Sequence, residues 1–245
     1  MLEKIALRMD DVGASSKRFN VYSKYPFCNI LFLKYLPYLR AWGPYEELDF
    51  NQWVKIINIL EKYEAKLTIG ITACYVDEHS NLLPFYEKFP KQAELLLSNF
   101  KNGNIEIANH GLSHCVIGDH LPKMFKSNRS NHREFWDYLP RDWHFDHLKE
   151  SQRILEDWTG MKVKTFIPPG NVYADKTIKA AEANGIEIIN SSRKINNDNK
   201  KLRIIDEKNV FAFHDRELVL YGTKWLEKEI IRLKDKNKFV LIRDL

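Results

Sequence analysis

Three groups of polar residues, each at or just beyond the end of a strand-like segment, could together perform hydrolytic chemistry. They are Asp10-Asp11, His110 with His114, and His214. One carboxylate and two histidines can hold a divalent ion and leave one position open for water. The remaining carboxylate and histidine are then available as base and acid. This combination indicates a mononuclear metal hydrolase.

Each group alone carries little information. An Asp-Asp pair usually marks a turn or a solvated loop. In a chain with eight histidines, a pair four residues apart also arises easily by chance. The order of the groups, and their common position after predicted strands, are what favour a metal site.

Strand-like and helix-like segments alternate through most of the chain. We expect strands at Lys4–Asp10, Lys66–Thr72, Asn104–Asn109, Lys162–Pro168, Ile186–Asn190, Val210–His214 and Phe239–Arg243. We expect helices at Phe50–Glu64, Phe85–Phe100, Asp146–Trp158, Ala174–Asn184 and Thr223–Lys234. This alternation predicts an α/β fold with a parallel sheet, and about seven units predict a (β/α) barrel. In such barrels the catalytic residues lie at the carboxyl ends of the strands.

Length and composition agree with one large domain. The 245 residues are 44% hydrophobic, and no segment has the composition of disorder. We predict a single domain over residues 1–245, with insertions at about 12–48 and 115–145. The net charge of +5 and the absence of a basic stripe argue against a nucleic-acid partner. This charge favours an anionic substrate such as a phosphorylated or lipid-linked sugar.

Cysteine usage and the first fifty residues predict a cytoplasmic location. The three cysteines form no Cys-x-x-Cys pair, which favours a reducing compartment. No signal peptide is evident, and the apolar run Phe27–Leu33 is too short to span a bilayer. We therefore predict no transmembrane segment there. Cys115, next to His114, is a metal ligand or a buried free thiol, and the second interpretation is the commoner one.

The two insertions are rich in aromatic residues and directly follow the Asp pair and the His pair. The first contains Tyr22, Tyr25, Phe27, Tyr35, Tyr38, Trp42 and Tyr45, and the second contains Arg129, Arg133, Arg141, Phe135, Trp136, Tyr138 and Trp143. Aromatic faces suit sugar rings and arginines suit anionic groups, so the insertions can wall a glycan site. A satellite core or a subunit contact explains the aromatic residues equally well. For the four histidines in or beside the second insertion, one interpretation is that one of them touches substrate, and the commoner one is that all are solvated: His120, His132, His144 and His147.

Taken together, the motifs from Arg8 to Asp215 resemble those of the NodB-homology polysaccharide deacetylases, carbohydrate esterase family 4. Asp10-Asp11 followed by Gly13 is similar to that family's Thr-Phe-Asp-Asp-Gly motif. Glu106–His114 is similar to its Glu-Ile-Gly-Asn-His-(Ser/Thr)-x-x-His motif. The resemblance implies a distorted (β/α)7 barrel in which Asp10 is the catalytic base. It also implies that Asp11, His110 and His114 hold one divalent ion, for which we predict zinc.

Two further segments extend the resemblance. Phe166-Ile-Pro-Pro-Gly170 is similar to the family's Phe-Arg-Pro-Pro-x-Gly segment, which implies that Pro168, Pro169 and Gly170 line the substrate groove. Ala212-Phe-His-Asp215 is similar to the terminal Leu-x-His-Asp motif, which implies that His214 is the general acid. Asp215 either orients His214 or faces solvent.

The sequence also departs from the family pattern. Ile167 replaces the arginine that steadies the catalytic aspartate, and Gly111 replaces the usual hydroxyl residue after the first histidine. No Asp-x-Trp motif is found near Ile186–Ser192.

Arg8 offers a substitute for the missing arginine. Alternate residues of a strand share a face, so Arg8 points the same way as Asp10. A buried charge needs a partner. Our hypothesis is that Arg8 lies inside the barrel, pairs with Glu106 or Asp215, and holds Asp10 in place.

The resemblance implies a hydrolase that removes an N-acetyl group from a sugar, giving an amino sugar and acetate. With no export signal evident, we expect an intracellular, lipid- or nucleotide-linked intermediate of surface-glycan synthesis as substrate. One alternative is a deformylase or another amidase on the same scaffold. A second alternative is a non-catalytic glycan-binding protein. The absence of the arginine and of the Asp-x-Trp motif favours this alternative, and the presence of all the Asp and His residues argues against it. The sequence makes no prediction of oligomeric state.

Overall fold

The computed structural model describes residues 2–20, 45–123, 126–192 and 202–245. Strands are found at β1 (Glu3–Val12), β2 (Leu67–Ile71), β3 (Cys74–Val76), β4 (Leu82–Pro84), β5 (Ile105–Asn109), β6 (Thr165–Phe166), β7 (Ile188–Asn190), β8 (Arg203–Ile205), β9 (Val210–His214) and β10 (Asn237–Val240). β3 and β4 form an antiparallel pair, and the other eight form one parallel sheet. All seven predicted strands are present in this sheet, and β8 is an addition that the sequence did not indicate.

Helices alternate with these strands. They are α1 (Ser16–Phe19), α2 (Phe50–Lys62), α3 (Phe85–Lys88), α4 (Pro90–Lys101), α5 (Arg141–Thr159), α6 (Asp175–Ala183), α7 (Asp215–Tyr221) and α8 (Thr223–Lys234). The predicted helix at Phe85–Phe100 is divided in two, because Pro90 starts a new helix rather than continuing α3. α5 starts five residues before the predicted position, directly after Pro140. It ends where predicted, since Gly160 adopts a left-handed cap with φ 67°.

Helix α2 shows how these elements attach to the sheet. Asp49 accepts a hydrogen bond from the Gln52 backbone N–H at 2.7 Å, and the Gln52 side chain accepts one from the Asp49 N–H at 2.9 Å. This capping box fixes the start of the helix. The apolar face then buries Trp53, Ile56 and Leu60 in the main core, against outward-facing residues of the strands.

The parallel sheet is curled rather than flat. Its order is β10-β1-β2-β5-β6-β7-β8, and β9 also pairs with β1. β1 and β7 are four strand positions apart, which is roughly 19 Å in a flat sheet. Yet Arg8 of β1 donates a hydrogen bond to Asn190 of β7 at 2.6 Å. The strands must therefore wrap around a common interior, and the predicted distorted (β/α)7 barrel is confirmed.

The two faces of the strands differ in chemistry. Leu7, Met9 and Ile69 belong to the apolar core that packs against the helices. The alternate residues Arg8 and Thr68 contact polar groups inside the barrel. A barrel with a polar interior can hold charged groups at the ends of its strands. In the part of the chain that the structure describes, no helix is long and apolar enough to cross a membrane.

Candidate active site

Asp10 and Asp11 are neighbours in β1, yet both side chains turn toward the barrel interior. Regular alternation along a strand would direct them to opposite faces. The pairing of β1 with β2 shifts register between Met9 and Val12, and Asp11 has a left-handed φ of 70°. This irregularity brings Asp11 to the histidines while Asp10 keeps the interior face of Arg8. A non-glycine residue in this conformation is uncommon and is often found at functional sites.

Asp11, His110 and His114 form a compact group of candidate metal ligands. Asp11 Oδ1 lies 3.3 Å from His110 Nε2 and 3.0 Å from His114 Nε2, and all three residues are buried. Tetrahedral ligands at about 2.1 Å from a zinc ion lie about 3.4 Å from one another. The three donor atoms therefore have the spacing of a mononuclear site.

His110 is oriented by the segment that follows β6. Its Nδ1 lies 2.7 Å from the carbonyl oxygen of Ile167, so Nδ1 donates and Nε2 is left with a lone pair facing Asp11. Pro168 and Pro169 are buried directly after Ile167, and Gly170 is exposed. The segment thus adjoins the metal ligands, and its contact with substrate stays a prediction.

The residues present fit a divalent ion. Burial raises the pKa of Asp11, but the proximity of His114, His214 and His110 lowers it well below its ordinary value. Within the described chain, Asp10 Oδ1 and His114 Nδ1 are buried without hydrogen-bond partners. An ionised carboxylate beside unsatisfied imidazole and carboxylate atoms is a donor set that a divalent ion would satisfy. Among the described residues Cys115 does not belong to this group of donor atoms, and burial raises the pKa of its free thiol.

Arg8 lies buried inside the barrel, as predicted, and contacts the catalytic-base candidate directly. Its Nη2 is 2.9 Å from Asp10 Oδ2 and 2.8 Å from Glu207 Oε1, and its Nη1 donates to Asn190. The predicted partners of Arg8 were wrong. The guanidinium points toward the carboxyl ends of the strands, so it meets Asp10 and the connection after β8.

Glu106 is separated from Arg8 by the strand between them. Thr68 of β2 is the register neighbour of both residues, and its hydroxyl donates to Glu106 Oε2 at 2.8 Å. Thr165 donates to the other oxygen at 2.5 Å. Burial raises the pKa of Glu106. These hydroxyl groups satisfy the carboxyl, which leaves it independent of the guanidinium.

Asp215 is also held by residues other than those predicted. It begins helix α7, and its buried carboxylate forms an ion pair with Lys17 and accepts a hydrogen bond from the Tyr45 hydroxyl at 3.0 Å. Lys17 pairs with Glu47 as well. Burial and the nearby charges of Glu47 and Asp11 raise the pKa of Asp215, although Lys17 opposes them. Asp215 therefore does not face solvent.

His214 stands beside Asp10, since the two are register partners in β9 and β1. Its side chain is 37% exposed, and its Nδ1 lies 3.7 Å from Glu217 Oε2. Glu217 also accepts a hydrogen bond from the His214 backbone N–H at 2.8 Å. Burial alone would lower the pKa of His214, but the negative charges of Asp11, Glu217 and Asp10 raise this pKa to about 9. His214 is thus a cation at neutral pH.

The histidines of the second insertion are not solvated. All four are buried, and the prediction was wrong for each of them: His120, His132, His144 and His147. Burial lowers the pKa of His132 to about 3 and that of His144 to about 4, so both are neutral at pH 7. His144 is satisfied by Thr177 and by the Trp136 carbonyl, at 2.8 and 3.1 Å. Burial in a long insertion depends on tertiary contacts that local sequence does not encode.

The aromatic residues of the second insertion lie in two environments, the core and the surface, and a contact with substrate stays a prediction. Phe135 is fully buried in a core cluster with Phe166. Trp136 and Tyr138 instead stack on each other at 6.2 Å near the surface, with the Arg133 guanidinium 5.6 Å from the Trp136 ring. A Cβ on Gly170 would lie 2.9 Å from Arg133, so this surface continues from the predicted groove segment.

Most aromatic residues of the first insertion lie outside the described residues. These are Tyr22, Tyr25, Phe27, Tyr35, Tyr38 and Trp42. Tyr45 is described, and its hydroxyl serves the buried Asp215 rather than a sugar.

Several buried or half-buried charged residues around the site were missed by the sequence interpretation. They are Lys17, Glu47, Glu134, Glu207 and Glu217. Only Glu217 carried a local signal, because it lies three residues after His214 at the start of a helix. The others meet the site through contacts between residues far apart in sequence.

Comparison with known families agrees with this fold. The family model described as polysaccharide deacetylase matches residues 45–189, which is more than half of the chain. The chain belongs to the polysaccharide deacetylase family. Asp10, Asp11 and His214 lie outside the matched residues, so the geometry above is what joins them to the histidines. Comparison with curated protein sequences gives no match.

Solved structures of carbohydrate esterase family 4 share the fold at low sequence identity. A pseudoenzyme of that family from Bacillus anthracis is 16% identical with a TM-score of 0.56, and the match covers all of this chain and 65% of that one. An esterase domain of a xylanase from the hindgut metagenome of Trinervitermes trinervoides is 14% identical with a TM-score of 0.55, covering 100% and 89%. A peptidoglycan N-acetylglucosamine deacetylase is 16% identical with a TM-score of 0.55, covering 98% and 86%.

Gly70 of β2 offers a test of this geometry, because it faces the space between Asp10 and His110. A Cβ there would lie 3.3 Å from His110 Cγ and 3.4 Å from Asp10 Oδ1. Gly70→Ala should weaken zinc binding slightly, and Gly70→Val, with two further methyl groups, by about tenfold or more. Valine is a good strand former, so the fold should persist. Circular dichroism and competition with a chromogenic chelator measure both effects. A folded Gly70→Val protein with wild-type zinc affinity would place Gly70 outside the site.

Proposed function

We propose that this protein is a metal-dependent hydrolase that removes the N-acetyl group from an amino sugar. The observation that carries the proposal is the placement of Asp10 and His214 as neighbours beside the ligand group Asp11, His110 and His114. A divalent ion held by those three residues, with zinc as the proposed species, would polarise the amide carbonyl and lower the pKa of a bound water.

Asp10 is suited to act as the base. Arg8 holds Oδ2 at 2.9 Å, and Oδ1 has no hydrogen-bond partner among the residues described. One oxygen is therefore fixed while the other is available to accept a proton from the attacking water. The fixed oxygen limits rotation of the carboxylate, which keeps the accepting oxygen in place.

His214 is suited to act as the acid. An amide is cleaved readily only if the departing nitrogen receives a proton. The raised pKa of His214, about 9, keeps the imidazole protonated at neutral pH. Its partial exposure leaves room for a substrate beside it.

The surface formed by Arg133, Trp136 and Tyr138 supports a saccharide substrate. Tyr138 is 69% exposed although it is a large aromatic residue, and it stacks on Trp136. Aromatic faces of this kind bind sugar rings, and Arg133 adds a positive charge beside them. An N-acetylated saccharide with an anionic or lipid-linked group is the proposed substrate, as an intermediate of surface-glycan synthesis. A cytoplasmic location stays a prediction from the sequence.

Two other functions use the same residues. A deformylase or other amidase would share the site and differ in its product. A non-catalytic glycan-binding protein is the alternative that the missing family arginine favours, and one structural neighbour is itself a pseudoenzyme. The contact between Arg8 and Asp10 argues against the second alternative, because a positioned base has no use in a protein that only binds.

Metal content and acetate release test the proposal together. Purified protein should hold about one zinc or similar ion per chain, and Asp11→Ala and His114→Ala should lose it. His79→Ala, which removes an exposed histidine, is the matched control and should retain it. Elemental mass spectrometry measures the ion, and acetate release from N-acetylglucosamine oligomers or a lipid-linked saccharide measures turnover. A wild-type protein that takes up no zinc, cobalt or nickel would refute the mechanism.

Replacement of Arg8 should separate base positioning from metal binding. Arg8→Met removes the contact that fixes Asp10, so kcat should fall by about 100-fold while the metal content stays near one ion per chain. Arg8→Lys keeps the charge without the two-sided contact to Asp10 and Glu207, so its kcat should lie between those of the wild type and Arg8→Met. Turnover at the wild-type level in Arg8→Met would remove Arg8 from the proposed mechanism.

Glu217 should set the alkaline limit of activity. Its carboxylate raises the pKa of His214, so Glu217→Gln should lower that pKa. Since the protonated form is the active one, the alkaline limb of the kcat profile should move to lower pH. Glu229→Gln, which changes a carboxylate paired with Arg232 on α8, is the control and should leave the limb in place. An unshifted limb in Glu217→Gln would mean that another group donates the proton.

A further inference from the structure

Glu134 is a fully buried carboxylate in the second insertion, and it is bound to the backbone of the segment that carries His114. Its Oε1 accepts a hydrogen bond from the Leu112 N–H at 3.0 Å. Its Oε2 accepts from the N–H groups of Ser113 and His114 at 3.2 and 2.9 Å. Three successive backbone donors therefore converge on one side chain.

A fourth contact fixes the carboxylate from the other side. His147 of α5 places Nδ1 2.5 Å from Glu134 Oε1, and the ring of Trp143 stacks on His147 with centroids 3.8 Å apart. Trp143 also donates its indole N–H to the Glu134 carbonyl at 3.0 Å. Glu134 thus joins helix α5 to the metal-binding segment.

Gly111 provides the space that this carboxylate occupies. It has a φ of 82°, and a Cβ added to it would lie 2.2 Å from Glu134 Oε2. No side chain can occupy that position while Glu134 stays in place. The position after His110 is the one where the family usually has a hydroxyl residue, so Glu134 lies where that side chain would begin.

The conformation of His114 explains why such support is needed. Its φ is 55°, a left-handed value that costs a non-glycine residue on the order of 1 kcal/mol or more. Among the described residues its Nδ1 has no hydrogen-bond partner, and its Nε2 faces Asp11 in the candidate metal site. The bond from its N–H to Glu134 is therefore the contact that keeps the backbone, and with it Nε2, directed at Asp11.

We propose that Glu134 is a positioning residue that holds His114 for metal binding. This role rests on the metal site proposed above. It assigns the second insertion a part in forming the site itself, in addition to any contact with substrate. Second-layer carboxylates of metal ligands typically change metal affinity by about 10–100-fold when they are removed. Here the support acts through the ligand's backbone rather than through its ring.

Cobalt binding to Glu134→Gln tests the proposal. The substituted amide has one acceptor oxygen where the carboxylate has two, so at least one of the three backbone N–H groups would face an N–H donor, and the segment should lose its fixed conformation while the side-chain volume is kept. Titration of metal-free protein with Co²⁺, followed through its visible absorption bands, should show affinity about 10–100-fold weaker than wild type, with weaker or shifted bands. Thermal unfolding of the metal-free protein measures any general loss of stability.

Glu106→Gln is the matched control. Glu106 is equally buried and hydrogen-bonded, and it lies four residues before His110. It should lose stability, if at all, without losing Co²⁺ affinity. Should Glu134→Gln fail to fold, His147→Leu removes a single contact to the carboxylate and should weaken Co²⁺ binding by less than tenfold.

The outcomes separate this inference from the function it rests on. Wild-type protein that binds no Co²⁺ refutes both. Wild-type binding together with unchanged affinity in Glu134→Gln refutes the positioning role alone, as does an equal loss in Glu106→Gln. A selective loss in Glu134→Gln, with the control unchanged, supports it.

Discussion

Buried negative charge is the constraint around which the carboxyl end of this barrel is arranged. Asp10, Asp11, Glu134 and Asp215 are all buried there. An unpaired carboxylate in such surroundings would cost on the order of several kcal/mol. Each has a different kind of partner. Asp10 has a guanidinium and Asp11 has imidazoles. Glu134 has backbone N–H groups and Asp215 has an ammonium group. These contacts also hold both insertions against the strand ends. The first insertion contributes Lys17, which pairs with Asp215, and the second contributes Glu134, which accepts from the His114 N–H.

Two departures from the family pattern have local answers in this chain. Ile167 stands where the family has an arginine, and Arg8 reaches Asp10 from within the same strand. Gly111 stands where the family has a hydroxyl residue, and Glu134 enters the space that the small residue leaves. In both cases a charged group from another part of the chain reaches the same neighbourhood. A position-by-position comparison of motifs shows only that the arginine and the hydroxyl residue are absent. The structure shows Arg8 in contact with Asp10, and Glu134 in the space beside Gly111.

What could be predicted from the sequence follows from periodicity and from strand ends. The strands, four of the five predicted helices and the inward direction of Arg8 depend on local patterns, and these predictions were confirmed. The fifth predicted helix, Phe85–Phe100, is divided at Pro90. The partner of Arg8 could not be predicted, because Glu207 and Asn190 come close only after the sheet curls. The surroundings of Asp215 could not be predicted, because its partners Lys17 and Tyr45 are far from it in sequence. The buried histidines were taken for solvated ones since an insertion has no periodic pattern from which burial can be read.

The contact between Gly111 and Glu134 also limits how this sequence can change. A serine or threonine at position 111 would collide with the carboxylate, and it would also have to adopt a φ of 82°. Loss of Glu134 with glycine still present would leave three backbone N–H groups without an acceptor. Single substitutions in either order thus pass through a damaged intermediate. The two positions form an epistatic pair, and a route between this arrangement and the usual family pattern requires both to change together.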